Sequence, residues 1–275
     1  AFGESDRGGN HWKLLRETGV EVRSISELYR RELKPADDAV INLANSAATE
    51  SAFRQYAGQS TIIHLATHGF FSPPEVQSAL SSEMTAKRTS SRSPDKLGFI
   101  GLSPGQLSGL VFAGANTHRS ANQSRVDDGI MTADEVATLQ MEGVRLAVLS
   151  ACQTGLGEIA GGEGLLGLQR SFQIAGARST VTSLWKVNDA ATSWFMQEFY
   201  TRLLVDELST LDALRETQLW AIHNPDKVPL ASNPTDNKQR ASLNIKVAES
   251  VDQKQDEIGL SPQYWAPFVL SGDWR

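Results

Sequence analysis

One cysteine and five histidines are the residues of this chain suited to covalent and acid–base chemistry. Cys152 follows the apolar run Leu146-Ala147-Val148-Leu149-Ser150-Ala151 and opens Cys152-Gln153-Thr154-Gly155, where a glycine-rich stretch leads into a helical pattern. A thiol there stands at the edge where α/β sheets take their ligands, and amides of a glycine-rich turn can meet a developing oxyanion. A lone cysteine is more often a small packed hydrophobe; its place after the strand rather than within it favours a nucleophile.

A thiol needs a base, and His68 is the best placed, because it follows the β-branched run Thr61–Ala66 and precedes Gly69, which leaves room for a substrate carbonyl. His64 lies inside that run and reads as a core histidine. A metal site built on His64 and His68 would need more ligands. The sequence has no cysteine pair and no helical His-Glu-x-x-His, so no metal is expected. His11, His118 and His223 have polar neighbours and read as surface residues. A competing motif, Gly162-Glu163-Gly164-Leu165-Leu166-Gly167, fits the dinucleotide pattern G-x-G-x-x-G with Asp189 downstream. Residues 151–161 separate it from the preceding strand, and Asp189 lies beyond the next one, so a nucleotide-binding enzyme ranks well below thiol chemistry.

The elements that would position these groups alternate. Strand (144–151), glycine-rich loop (155–164), helix, strand (179–184) and helix (189–204) form a βαβα unit, with Leu165, Leu168, Phe172 and Ala175 on one helical stripe and Phe195, Phe199 and Leu203 on another. Such alternation predicts an α/β fold with a mostly parallel sheet covered by helices on both faces. Earlier come a helix from Trp12 to about Leu33, a strand at Ala39–Leu43, a helix over Ser46–Tyr56 ending at Gly58, and the strand Thr61–Ala66 halted by a turn at Thr67-His68-Gly69. A strand at Gly109–Ala113 and a short helix at Met131–Leu139 follow. Leu211–Ile222 reads as a helix, and Tyr264–Leu270 as a last strand that Pro267 confines to an edge. Ser72–Pro94, dense in Ser and Pro, reads as an exposed, partly mobile insertion, and 116–128 and 224–239 as polar loops.

The 275 residues carry 26 basic and 32 acidic side chains, a net charge of −6, which offers no field for nucleic acid. No stretch approaches the roughly 20 apolar residues that cross a bilayer, and AFGESDRGGN is no signal peptide. Cys152 has no partner for an internal disulfide. A reducing, cytoplasmic setting is therefore expected, and because the chain starts without Met a further part of the protein is expected upstream.

Several blocks in order resemble the CHAT domains, caspase-like cysteine peptidases of the clan of caspases, gingipains and separase. They are HLATHGFF (64–71), GLVFAGAN (109–116), DDGIMTADEV (127–136), LSACQTGLG (149–157), GGEGLLGLQRSFQIAGARSTVTSLWKV (161–187) and WAPFVLSGDW (265–274). The resemblance implies a single caspase-like peptidase domain over 1–275 in which His68 is the general base and Cys152 the nucleophile of an endopeptidase that passes through an acyl-enzyme. It places the backbone amides of Gly69 and Cys152 in the oxyanion hole, and it implies no cofactor. Cys152 follows His68 by 84 residues, more than the roughly 50 of caspases, with the polar insertion supplying much of the excess. The pocket for the residue before the cut would be shaped by Ser150 and Trp185. Asp6, Glu163 and Asp189 are the candidates for a carboxylate selecting a basic side chain. AFGESD resembles the end of the family's first strand, and an upstream array of helical repeats, or a separate regulatory protein, is expected to control the domain. The alternative within the family is an inactive interaction module, which the intact His68 and Cys152 disfavour.

Overall fold

The computed structural model describes residues 12, 15, 17–71, 104–106, 108–117, 127–150, 152–153, 163–185, 189–229 and 260–274. The expected insertion at 72–94 lies outside them, as do most of the polar loops and of the glycine-rich stretch before residue 163. The chain forms two compact units, one built from residues 1–14 and 43–181, the other from 15–42 and 182–275.

In the first unit helix αA (Glu50–Ala57) is capped by Thr49, whose hydroxyl accepts a hydrogen bond from the Ala52 N–H. Strands β1 (Ile62–Leu65) and β5 (Leu146–Leu149) pair in parallel, and β7 (Ser179–Ser183) lies beyond β5. A second sheet runs in the order β4 (Ile130–Thr132), β3 (Ser108–Val111), β2 (His68–Phe71) and β6 (Cys152–Gln153). Here β2–β6 is parallel, while β2–β3 and β3–β4 are antiparallel. Thus the segment expected to be a turn at Thr67-His68-Gly69 is a strand start, and Cys152 lies in a short strand of its own. Both polar segments gain ladder partners from residues far away in the chain, which a local reading cannot see.

Helix αB (Ala133–Val136) opens with a capping box between Thr132 and Glu135, so the expected helix at 131–139 begins two residues later and its start belongs to β4. Helix αC (Glu163–Ile174) lies between β6 and β7 in the sequence and buries Leu168 and Phe172. The core beneath these elements joins Phe53, Leu110, Met131, Val136, Leu149 and Phe172, with Phe53 packed against Phe112 and Phe172.

In the second unit, helix αD (Thr18–Leu33) packs on helix αE (Asp189–Leu204), and αE on helix αF (Thr210–His223). Helix αD starts at Thr18 rather than Trp12, because the Trp12 main chain is bonded elsewhere, as described below. The expected strand at 39–43 is absent: a 3₁₀ turn at Asp37–Ala39 is followed by irregular backbone, with Ile41 46% exposed and, among the described residues, no strand beside it to complete a ladder. The last two residues of β7 belong to this unit, and β8 (Phe268–Gly272) takes the edge beside β7. Pro267 immediately precedes β8, and its carbonyl accepts the Leu184 N–H at 2.7 Å, so proline ends up at an edge but outside the strand. A one-turn helix, αG (Pro262–Trp265), replaces the first residues of the expected strand. Phe195 of αE stacks on Phe268 at 4.9 Å between ring centroids. The chain is therefore mixed α/β with a mostly parallel main sheet flanked by helices, compatible with a caspase-like fold.

Candidate functional site

The site is set by a register. Along β1 and β5 the ladder partners are Ile62 with Leu146 through Leu65 with Leu149, a constant offset of 84 residues. Two residues intervene on each chain before β2 and β6, where His68 partners Cys152 and Gly69 partners Gln153, again 84 apart. The register offset is therefore the same in both sheets. His68 and Cys152 consequently occupy adjacent positions on neighbouring strands, which run about 4.8 Å apart in any sheet. On its other side β2 pairs with β3, Gly69 opposite Leu110, and the Thr67 hydroxyl donates to the Val111 carbonyl.

His68 is 8% exposed. Its ring lies 5.4 Å from that of Trp12, tilted by 40°, and Phe70 completes an aromatic group at 6.3 Å from Trp12. Trp12 is held by one side chain at two points: its N–H donates to Asn116 Oδ1 at 2.9 Å, and Asn116 Nδ2 donates to its carbonyl at 2.8 Å. Asn116 ends the turn that follows β3. That turn is fixed by the Ala113 N–H on the Ala48 carbonyl, the Phe112 N–H on the Gly129 carbonyl, and Gly114 at φ 104°.

Behind the turn lies a charge cluster that the sequence did not announce. Glu50 is 1% exposed, and its Oε1 accepts the Gly129 N–H at 2.6 Å. Arg54 stands 3.5 Å from Glu50 and 3.0 Å from Glu135, while Asp127 accepts both the N–H and the hydroxyl of Ser51. Burial pushes the Glu50 carboxyl above its ordinary value of 4.5; the Gly129 hydrogen bond opposes this, the charges of Asp128 and Glu135 add to it, and Arg54 opposes it. The sequence marks 116–128 as a polar loop; the anchoring by Glu50 comes from 79 residues away.

The CHAT domain family matches residues 2–273, nearly the whole chain. The chain belongs to the CHAT domain family. The family is related to the caspase-like cysteine peptidases. Tetratricopeptide repeat protein 28 of Mus musculus and that of Homo sapiens are each 37% identical to the CHAT chain over 75 residues, 27% of its length. The CHAT chain spans about 3% of the length of these curated relatives.

The remaining residues singled out in the CHAT sequence fall as follows. In the first unit Ser150 is 4% exposed, just past β5, and its hydroxyl has no hydrogen-bond partner among the described residues. In the second unit Trp185 is half-buried, donates its indole N–H to the Gln263 carbonyl at 3.3 Å, and accepts the Ser183 hydroxyl at its own carbonyl. Glu163 and Asp189 are the first residues of αC and αE, and their side chains, like that of Cys152, lie outside the described residues, as does Asp6. His64 is half-buried in β1 opposite Val148, less enclosed than a core histidine, and His223 is exposed at the end of αF. Gly164 and Gly167 sit inside helix αC rather than in a loop, so they do not form the phosphate-cradling turn of a dinucleotide site. Among the described residues no cluster of His, Cys, Asp and Glu could hold a metal, and no helix is long and apolar enough to cross a membrane.

Proposed function

We propose that the chain is a cysteine endopeptidase working through His68 and Cys152. The observation that carries this reading is the ladder pairing of those two residues at the start of β2 and β6, together with membership of a peptidase-related family. His68 takes the thiol proton, and the thiolate of Cys152 attacks the peptide carbonyl. The tetrahedral oxyanion is met by the backbone amides of Gly69 and Cys152, and such donors contribute about 3–4 kcal/mol each in acyl-transfer enzymes. His68 returns the proton to the leaving amine, giving a thioester acyl-enzyme. Water then attacks while His68 accepts its proton, and the carboxylic acid and free thiol are restored. No third residue and no cofactor enter the cycle.

The pocket for the residue before the cut is assigned to Ser150 and Trp185, with Asp6, Glu163 or Asp189 supplying a carboxylate and hence a preference for Arg or Lys. Residues 1–275 act as one peptidase domain, in the cytoplasm. The partial match to proteins named for tetratricopeptide repeats supports control by an upstream helical-repeat array or a separate partner.

Hydrolysis of a peptide library by wild type, Cys152→Ala and His68→Ala, read by mass spectrometry, tests the reading. Cleavage by wild type alone, at a consistent residue, is expected. Cleavage that survives in Cys152→Ala refutes the dyad. A folded but silent wild type, also silent after addition of a partner recovered with Cys152→Ala, points instead to an interaction module.

A further inference from the structure

We propose that Trp12 is a positioning residue for the imidazole of His68, with Asn116 as the clamp that holds it there; the catalytic part of this inference rests on the function proposed above. Three observations combine. The Trp12 ring lies against that of His68 at 5.4 Å, and against Phe70 at 6.3 Å. Asn116 binds both the N–H and the C=O of Trp12, a two-point contact that fixes the main chain and therefore the direction in which the indole leaves it. The clamp itself is built on the strand that pairs with the histidine's own strand, because β3 runs antiparallel to β2 with Leu110 opposite Gly69. The turn carrying Asn116 thus emerges at the end of β2 where His68 stands.

An imidazole that shuttles protons must keep one ring orientation through both half-reactions, and its χ2 torsion is broad unless neighbours restrict it. Trp12 supplies a large flat surface that restricts it. The indole is anchored through the main chain of Trp12.

The test uses Trp12→Ala, Trp12→Phe and Asn116→Ala, with His68 ring signals followed by nuclear magnetic resonance and assigned by their loss in His68→Ala. Aromatic ring currents displace those signals in wild type. Expected is a change of the His68 signals in Trp12→Ala and Asn116→Ala, near-wild-type signals in Trp12→Phe, and no comparable change at His223. In peptide hydrolysis the two disruptive variants are expected to lose roughly tenfold to a hundredfold in kcat with little change in KM, with the Phe variant rescuing most of the loss. Unchanged His68 signals in Trp12→Ala overturn the proposal whether or not any peptide is cleaved. So does a kcat that is unchanged or raised, the latter marking Trp12 as an occluding residue, or a rise in KM alone, which marks it as a substrate contact. Failure of the dyad itself would show separately, as cleavage surviving in Cys152→Ala.

Discussion

Replacing Glu50 separates its hydrogen bond from its charge. The carboxylate is 1% exposed, accepts the Gly129 N–H at 2.6 Å, and faces Arg54 at 3.5 Å while Asp128 and Glu135 oppose its charge. Glu50→Ala strands the Gly129 N–H, which costs about 1–3 kcal/mol, and opens a void where the side chain was; about 2–4 kcal/mol is expected in total. Glu50→Gln keeps an acceptor for Gly129 and removes both the desolvated charge and its repulsion, at the expense of an amide group facing the Arg54 guanidinium. Replacing a buried charge by a neutral group of the same shape should therefore fall within about 1 kcal/mol of wild type near neutral pH. The pH dependence is the sharper discriminator. Because the folded carboxyl is raised above 4.5, the native state holds a proton that the unfolded chain has released, and stability falls as pH rises from that value through the folded pKa. Glu50→Gln should lack this decline, so wild type loses ground to the Gln variant as pH rises from 4.5 through the folded pKa. Urea unfolding followed by tryptophan fluorescence at several pH values measures this. A gap between the two that is constant with pH, or a Gln variant as unstable as the Ala variant, would refute the account of a charge held against its own burial.

Three further outcomes are expected. Gly129→Ala should be destabilising by more than about 1 kcal/mol, because φ is 84° and an added Cβ would stand 2.1 Å from the Ala115 amide nitrogen; a thermal midpoint within error of wild type would count against that close approach. Phe172→Ala should cost about 3–5 kcal/mol by chemical denaturation, since its ring is fully buried against Phe53 in the core of the first unit, and a loss under about 1 kcal/mol would contradict that packing. Tyr200, 1% exposed, has its hydroxyl pKa raised far above 10.0 by burial and then by the nearby Glu21 charge. In a spectrophotometric alkaline titration Tyr200 should stay silent until the protein unfolds, so that Tyr200→Phe removes absorbance change from the unfolding step; its contribution to stability falls as pH climbs past 10.0, because only the unfolded chain ionises it there.

What was legible in the sequence follows from how locally each signal is encoded. Helix αE was read with both its boundaries, αF and β7 came within a residue of theirs, and αC was read as a helix without bounds and starts inside the expected loop, because each carries a stripe or run that its own neighbours define. Strands β2 and β6 were missed as strands because each opens on a pair without β signal, His68-Gly69 and Cys152-Gln153, and their pairing comes from each other and from β3. The apolar run at 39–43 misled for the converse reason: it has the composition of a strand without a ladder to join, and Arg30 reaches the Val40 carbonyl at 3.4 Å instead. His68 and Cys152 could be named from the residues that follow each strand. The Trp12 and Asn116 contact could not, since 104 residues separate its partners and neither lies in a pattern that implies the other.

The same long-range contacts explain why the sites were only half visible, and they link the charge cluster to the histidine. Glu50 holds the Gly129 N–H, the Gly129 carbonyl receives the Phe112 N–H, and Gly129 sits so close to Ala115 that only a residue without a Cβ fits. Those contacts fix the turn that ends in Asn116, and Asn116 fixes Trp12 against His68. The setting of the His68 ring thus depends on a buried carboxylate whose hydrogen bond lies at the far end of these contacts. The consequence is a graded expectation: Glu50→Ala should disturb the His68 ring signals in the same direction as Asn116→Ala but less, because the turn keeps its Ala48 and Gly114 bonds. Glu50→Gln, which preserves the acceptor for Gly129, should leave them unmoved. If Glu50→Ala leaves them unmoved as well, the cluster stabilises the first unit without reaching the site, and the chain of contacts stops at the turn.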